Sequence, residues 1–139
     1  MLDTSAIGTK TEWTTVEVEK GSIKAFADAL GDDNPLYCDE EYAREKGYPS
    51  IVAPPTFPAT FHLPKPGLDL ELSRTLHGEQ EFVYERPIVA GDILHCISEL
   101  VDVYERDGKR KMTFYVLETR GEDSNGSLVY TGRTTIIYR

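Results

Sequence analysis

Residues 11–19 (TEWTTVEVE) alternate polar with apolar or β-branched side chains, the period of a half-buried strand. The period then changes. Ile23, Phe26, Ala27 and Leu30 recur at three- and four-residue steps, which predicts a short amphipathic helix over 22–30, with Ser22 as N-cap and Gly31 as its stop. The following Gly31-Asp32-Asp33-Asn34-Pro35 is dense in turn formers, and Pro35 biases Asn34 away from helix. A second short helix is expected over 39–46. Its acidic start, Asp39-Glu40-Glu41, matches the charge preference of a helix N-terminus. The apolar stretch from Ile51 to Phe61 contains prolines that can open a helix but cannot sit deep inside one, so a buried helix is expected over about 55–63.

The second half reads differently. Segments 80–86, 93–104, 111–119 and 128–138 are rich in Val, Ile, Tyr, Phe and Thr and predict four strands. Asp107-Gly108 and Asn125-Gly126 are hairpin turns by composition, and Ala90-Gly91-Asp92 marks the remaining turn. The expectation is an α+β domain over 1–139. In it, an antiparallel meander joins the N-terminal strand and curves around one buried helix, and an exposed sheet edge would be covered by a dimer that continues the sheet.

Composition narrows the function classes. The chain has 139 residues, with 15 Lys+Arg against 24 Asp+Glu and a net charge of −9. A duplex-binding surface needs clustered cations, and the sequence has one short cluster, Lys109-Arg110-Lys111, beside a turn. No nucleic-acid partner is expected. No apolar run approaches the length of a membrane span, and the N-terminal stretch lacks a basic start with an apolar continuation, so the expectation is a cytosolic protein without a membrane partner. Cys38 and Cys96 are too few for a disulfide framework and read as reduced, partly buried thiols. His62 and His95 have no metal-ligand spacing and read as structural; neither a metal nor another cofactor is expected.

Ala29-Leu30-Gly31-Asp32-Asp33-Asn34-Pro35-Leu36-Tyr37 resembles the Gly-Asp-x-Asn-Pro-aliphatic-His signature of the MaoC-like (R)-specific enoyl-CoA hydratases, with Tyr37 in the place of His. Gly47-Tyr48, the apolar stretch after it and Arg86-Pro87-Ile88-Val89-Ala90-Gly91-Asp92 follow in the family's order, so the resemblance spans nearly the whole chain. Ala53-Pro54-Pro55-Thr56-Phe57 and Leu76-His77-Gly78-Glu79-Gln80 are most similar to the N-terminal-type domain of the MaoC-like dehydratases. The resemblance implies a hot-dog fold, acting on 2-enoyl or (R)-3-hydroxyacyl thioesters of coenzyme A or acyl carrier protein. It also implies an Asp/His pair that holds the reacting water, and a backbone amide at the start of the central helix that holds the thioester oxygen. Such a donor is worth about 2.7 to 4 kcal/mol in measured oxyanion holes.

Carried onto this chain, the resemblance makes Asp32, Tyr37 and His77 the catalytic candidates, and Asn34, Pro54, Pro55, Thr56, Phe57 and Phe61 the substrate-binding ones. Two positions depart from the pattern. The Tyr37 phenol, with a reference pKa near 10, is a poor general base at neutral pH where imidazole is a good one. Pro54 stands about where catalytic members have a glycine, and proline has no N–H, so Thr56 or a shifted backbone must supply the oxyanion donor. Asp32 and Asn34 equally suit a plain turn. His77 is the best substitute base on the chain and equally suits a polar strand edge. Phe57 and Phe61 read as core that can also line an acyl tunnel. Lys109-Arg110-Lys111 reads as a solvated hairpin tip that can alternatively meet a coenzyme A phosphate or an acidic carrier.

In paired dehydratases of this family one hot-dog domain carries the Asp/His pair while its N-terminal-type partner shapes the acyl channel, and this chain resembles the second kind. Three readings stand: a hydratase or dehydratase, alone as a homo-oligomer or as a heterodimer with a second MaoC-like subunit; a non-catalytic binding or scaffold subunit; and a thioesterase on the same fold.

Overall fold

A computed structural model describes residues 3–139, so the first two positions of the N-terminal stretch lie outside it. Strand β1 (Thr14–Glu17) leads into helix α1 (Lys20–Leu30), a short helix α2 (Glu40–Glu45), and then β2 (Thr75–Tyr84), β3 (Ile93–Arg106), β4 (Met112–Glu122) and β5 (Leu128–Tyr138). Single 3-10 turns occupy Pro35–Tyr37, Phe57–Thr60 and Leu72–Arg74. The strands form one antiparallel five-stranded sheet in the order β1-β3-β4-β5-β2.

β3, β4 and β5 stand close to where the sequence places them, β1 is shorter than the expected 11–19 and β2 begins at Thr75, ahead of the expected 80–86; β3-β4-β5 is a meander turned at the two expected hairpins. The expected turn at Ala90-Gly91-Asp92 does not join neighbouring strands. β2 pairs with β5 at the far edge, and β3 lies between β1 and β4. The connection instead crosses the end of the sheet and is held by its own polar groups. Arg86 forks onto Asp92 at 2.8 and 3.1 Å, and the same carboxylate accepts the Val89 N–H at 2.9 Å. Gly91, at φ 93°, donates its N–H to the Val18 carbonyl at 2.8 Å, and Val18 donates to that of Asp92. Ala53 and Ala90 donate to the carbonyls of Ile88 and Ile51, tying this crossing to the proline-rich stretch.

α1 starts at Lys20, ahead of the expected Ser22 cap, because extended Glu19 turns the chain directly out of β1 and its carbonyl accepts the Ile23 N–H. α2 starts as expected, with the Asp39 carboxylate accepting the Tyr42 N–H at 3.1 Å.

The largest departure is the buried helix expected over about 55–63, which is one 3-10 turn, Phe57–Thr60. Pro58 has no N–H to donate to Pro54, whose carbonyl takes the Phe57 N–H at 2.9 Å instead. The carbonyl of Pro55, the first acceptor such a helix would use, takes the Tyr84 hydroxyl. The chain at Phe61 is already extended.

One core cluster joins Ile23 of α1, Ile51, Ala53 and Phe57 of the proline stretch and Ile88 of the crossing to Leu94, Cys96, Val129 and Tyr130 of the sheet. A second cluster gathers Leu100, Val103, Leu117 and Ile136 farther along the sheet, with Leu68 and Leu70 packed on it. Each fully buried aliphatic side chain contributes about 1.5 to 3 kcal/mol of transfer free energy. No helix among the described residues is long and apolar enough to cross a membrane.

Candidate functional site

The Gly-Asp-x-Asn-Pro match is a chain of backbone caps. Gly31 ends α1 in the left-handed region at φ 70°, donating to Asp28, while Asp32 donates its N–H to the Ala27 carbonyl at 3.0 Å. The Asp32 carboxylate then accepts the Asn34 N–H at 3.1 Å, and the Asn34 side-chain oxygen accepts the Leu36 N–H at 3.0 Å. Pro35 opens the 3-10 turn that ends at Tyr37. These bonds fix the turn and leave Asp32 exposed beside Lys24, Asp28, Asp33 and Cys38 in a shallow depression.

Tyr37 packs half-buried against the first core cluster. Burial raises its phenol pKa and the nearby Asp32 charge raises it further, so the hydroxyl keeps its proton and can act as a hydrogen-bond donor. Asp32 and Tyr37 thus lie at the two ends of one short turn, near enough for the carboxylate's charge to act on the phenol.

At the proline stretch, Pro54 and Phe57 are buried while Pro55 and Thr56 are exposed. Ala53 and Phe57 donate their N–H groups to backbone carbonyls, and Pro54 and Pro55 have none. Among the described residues the Thr56 N–H donates to no protein acceptor, so it is the amide of this turn left available to a ligand. Tyr84 braces the turn through Pro55. Burial pushes its phenol up to about 12, which keeps it a donor across the working pH range.

A cavity of about 480 Å³ lies between the 58–65 segment and one face of the sheet, on β2, β4 and β5 with Ser98 of β3. Its walls are largely apolar. Phe61 packs edge-on to both Phe57 and Tyr130, with ring centroids 5.6 and 6.2 Å away. Leu63, Leu72, Leu76, Phe82, Leu117 and Ile136 add to the apolar lining. Four of the polar strand side chains are engaged with one another, Ser98 with Thr119 at 2.7 Å and the Thr134 hydroxyl donating to the Gln80 carboxamide at 2.7 Å, and the Thr75 hydroxyl donates to the Leu72 carbonyl. Burial raises the pKa of Tyr130, whose hydroxyl sits 3.7 Å from the buried Cys96 thiol, so both stay protonated. The apolar part of the wall suits an apolar chain, and Lys65 and His77 also stand on the lining.

His77 lies on the cavity wall, exposed, on β2. The sequence-predicted candidates thus separate. Asp32 and Tyr37 belong to the signature turn, and His77 and Phe61 to the cavity; Asp32 and His77 line different depressions, so His77 does not complete a pair with Asp32 on this chain. Cys38 is exposed and Cys96 buried, where both had read as partly buried; both are free. His95 hydrogen-bonds Thr15 across β1 and β3 at 3.2 Å, and His62 is exposed. Sequence reasoning missed Tyr130, Gly132, Thr134 and Ile136. They alternate along β5 and all line the cavity, a period-two signal that acquires meaning once β5 is known to lie inside the sheet, between β4 and β2.

The family model described as FAS1-like, dehydratase domain region matches residues 5–132. A UPF0336 protein of Thermobifida fusca is 38% identical over 130 residues, covering 88% of this chain and 84% of that one. Among solved structures, a MaoC-like dehydratase superposes with a TM-score of 0.84 at 26% identity over 96% of this chain; the chain spans 42% of that protein's length. A truncated HadBC complex of Mycobacterium tuberculosis, described as a 3R-hydroxyacyl-ACP dehydratase, superposes with a TM-score of 0.81 at 26% identity, covering 98% of this chain and 99% of that one. The antiparallel sheet, the signature turn and these matches together make the chain a member of the FAS1-like dehydratase domain region family, with the hot-dog fold of the MaoC-like dehydratases.

Proposed function

We propose that this chain is the acyl-binding subunit of a hydratase or dehydratase that interconverts 2-enoyl and (R)-3-hydroxyacyl thioesters, and that a second hot-dog subunit supplies the catalytic Asp/His pair. The observation that carries this reading is the cavity of about 480 Å³, with largely apolar walls, between the sheet and the segment that holds the Phe57–Thr60 turn. Two further features support it. Asp32 has no histidine beside it on this chain, and its carboxylate serves the turn. The edge strand β2 presents exposed Leu76 and Val83, which a partner would cover by extending the sheet.

In this reading the acyl chain lies along β5, against Phe61 and Tyr130, and the thioester sits toward the proline turn. The free Thr56 N–H is two residues from the cavity-lining Pro58 and is placed to hold charge that develops on the thioester oxygen. Proton transfer at the α- and β-carbons belongs to the partner, because Tyr37 holds its proton too tightly to serve as a base. The carrier is coenzyme A or acyl carrier protein.

The test is turnover of crotonyl-CoA and longer 2-enoyl-CoAs, followed by loss of enoyl-thioester absorbance. The purified chain is assayed alone and after co-expression with a hot-dog chain carrying Gly-Asp-x-Asn-Pro-x-His. Activity that requires both chains is the expected result. Full turnover by this chain alone would instead assign the chemistry to Asp32 and Tyr37.

A further inference from the structure

Three strand glycines lie at the cavity or behind its wall, and what a side chain would meet differs sharply among them. At Gly121 a Cβ would fall 2.1 Å from the Tyr130 ring, so packing alone demands glycine. At Gly78 it would press on the Ile137 side chain at 2.9 Å. At Gly132 the nearest atom would be a Phe82 ring carbon at 3.4 Å, an ordinary contact, and its φ is not in the left-handed region. Neither backbone conformation nor packing therefore requires glycine at 132. Glycine in the middle of a central strand weakens it, and its presence there marks a place where something approaches the backbone closely.

Gly132 lies between Tyr130 and Thr134 on the cavity-facing side of β5, opposite Thr119 on β4 and Phe82 on β2. Its missing side chain leaves a notch in the cavity wall at the side of the packed Phe82 and Tyr130 rings, where a Cβ would sit in ordinary contact with both, at 3.4 and 3.6 Å. The hydroxyls nearest in register and sequence, Thr119 and Thr134, are already paired with Ser98 and Gln80, so the notch offers no free polar group and suits methylenes.

We propose that Gly132 is the residue that sets the length of acyl chain the cavity accepts, by leaving its side-chain volume to the distal carbons of the substrate. The inference rests on the acyl-binding reading above. It predicts that Gly132→Ala, Gly132→Val and Gly132→Leu shorten the accepted chain in that order. Short acyl groups, which end before the notch, are unaffected. Each methylene expelled weakens binding by about fourfold.

The experiment measures binding of butyryl-, octanoyl-, dodecanoyl- and palmitoyl-CoA to the full chain and its three variants by calorimetry, with the free fatty acids of the same lengths alongside. Thermal midpoints are recorded for each protein, and Gly132→Ala should match or exceed the wild type because a strand alanine loses less backbone entropy than glycine. Gly132→Ala also keeps the inference testable if the larger variants fail to fold. A loss confined to long chains and growing with side-chain size supports the inference. An unchanged ladder, or an equal loss at every length, overturns it, as does a wild type whose affinity ignores chain length. The fatty acids separate the two readings: a ladder that holds for them while no 2-enoyl thioester is turned over with any partner leaves Gly132 in place and removes the hydratase assignment.

Discussion

The signature turn and the cavity differ in what their polar groups are doing. In the turn, Asp32 and Asn34 cap successive backbone amides, and the most family-like residues of the sequence serve first to end α1 and launch the next turn. In the cavity, Ser98, Thr119, Thr134 and Gln80 bond one another, so the wall left to a ligand is mainly aromatic and aliphatic, with Lys65 and His77 beside it. The signature residues are thus accounted for by capping geometry, while most of the cavity wall comes from residues outside that signature. Substitutions in the two regions should separate these roles.

The largest effect belongs to the cavity wall. Tyr130 is fully buried and touches Phe61, Phe82, Tyr84 and Cys96, so Tyr130→Ala should destabilise the fold by about 3 to 5 kcal/mol, read by urea unfolding. Asp92→Ala comes next. It strips both the Arg86 guanidinium and the Val89 amide of their acceptor in the crossing that holds the proline stretch, at a cost of about 1 to 3 kcal/mol in the same measurement.

Effects in the signature turn should be smaller. Asn34→Ala removes one cap and should cost about 1 kcal/mol. Asp32→Asn keeps a side-chain oxygen for the Asn34 amide, and should shift stability by less than about 0.5 kcal/mol. A cost above that for Asp32→Asn would mean that its charge, and not its capping oxygen, matters to the turn.

How much of this was legible in the sequence follows from the range of the interactions. The strands were readable because Val, Ile, Thr and aromatic residues recur locally, and the hairpins because Asp107-Gly108 and Asn125-Gly126 suit tight turns. The sheet order was not, because the bonds from the crossing to Val18 and Ile51 act between residues far apart in sequence. The 55–63 helix was misread because apolar spacing outweighed Pro58, whose missing N–H limits the segment to one turn. Asp32, Asn34 and Tyr37 were found through the signature. Gly132 carries no chemistry of its own and acquires meaning once Phe82, Tyr130 and Thr119 are placed around it.

The central claim is that this chain holds the acyl group while another chain performs the proton transfers. The most direct measurement is a crossed pair of substitutions in the reconstituted two-chain enzyme: Asp32→Asn here, and Asp to Asn in the partner's Gly-Asp-x-Asn-Pro-x-His motif, each assayed for 2-enoyl-CoA hydration. The account predicts that Asp32→Asn leaves kcat within about twofold while the partner's substitution abolishes turnover. Loss of activity on Asp32→Asn with the partner's substitution silent would contradict it and return the catalytic role to this chain.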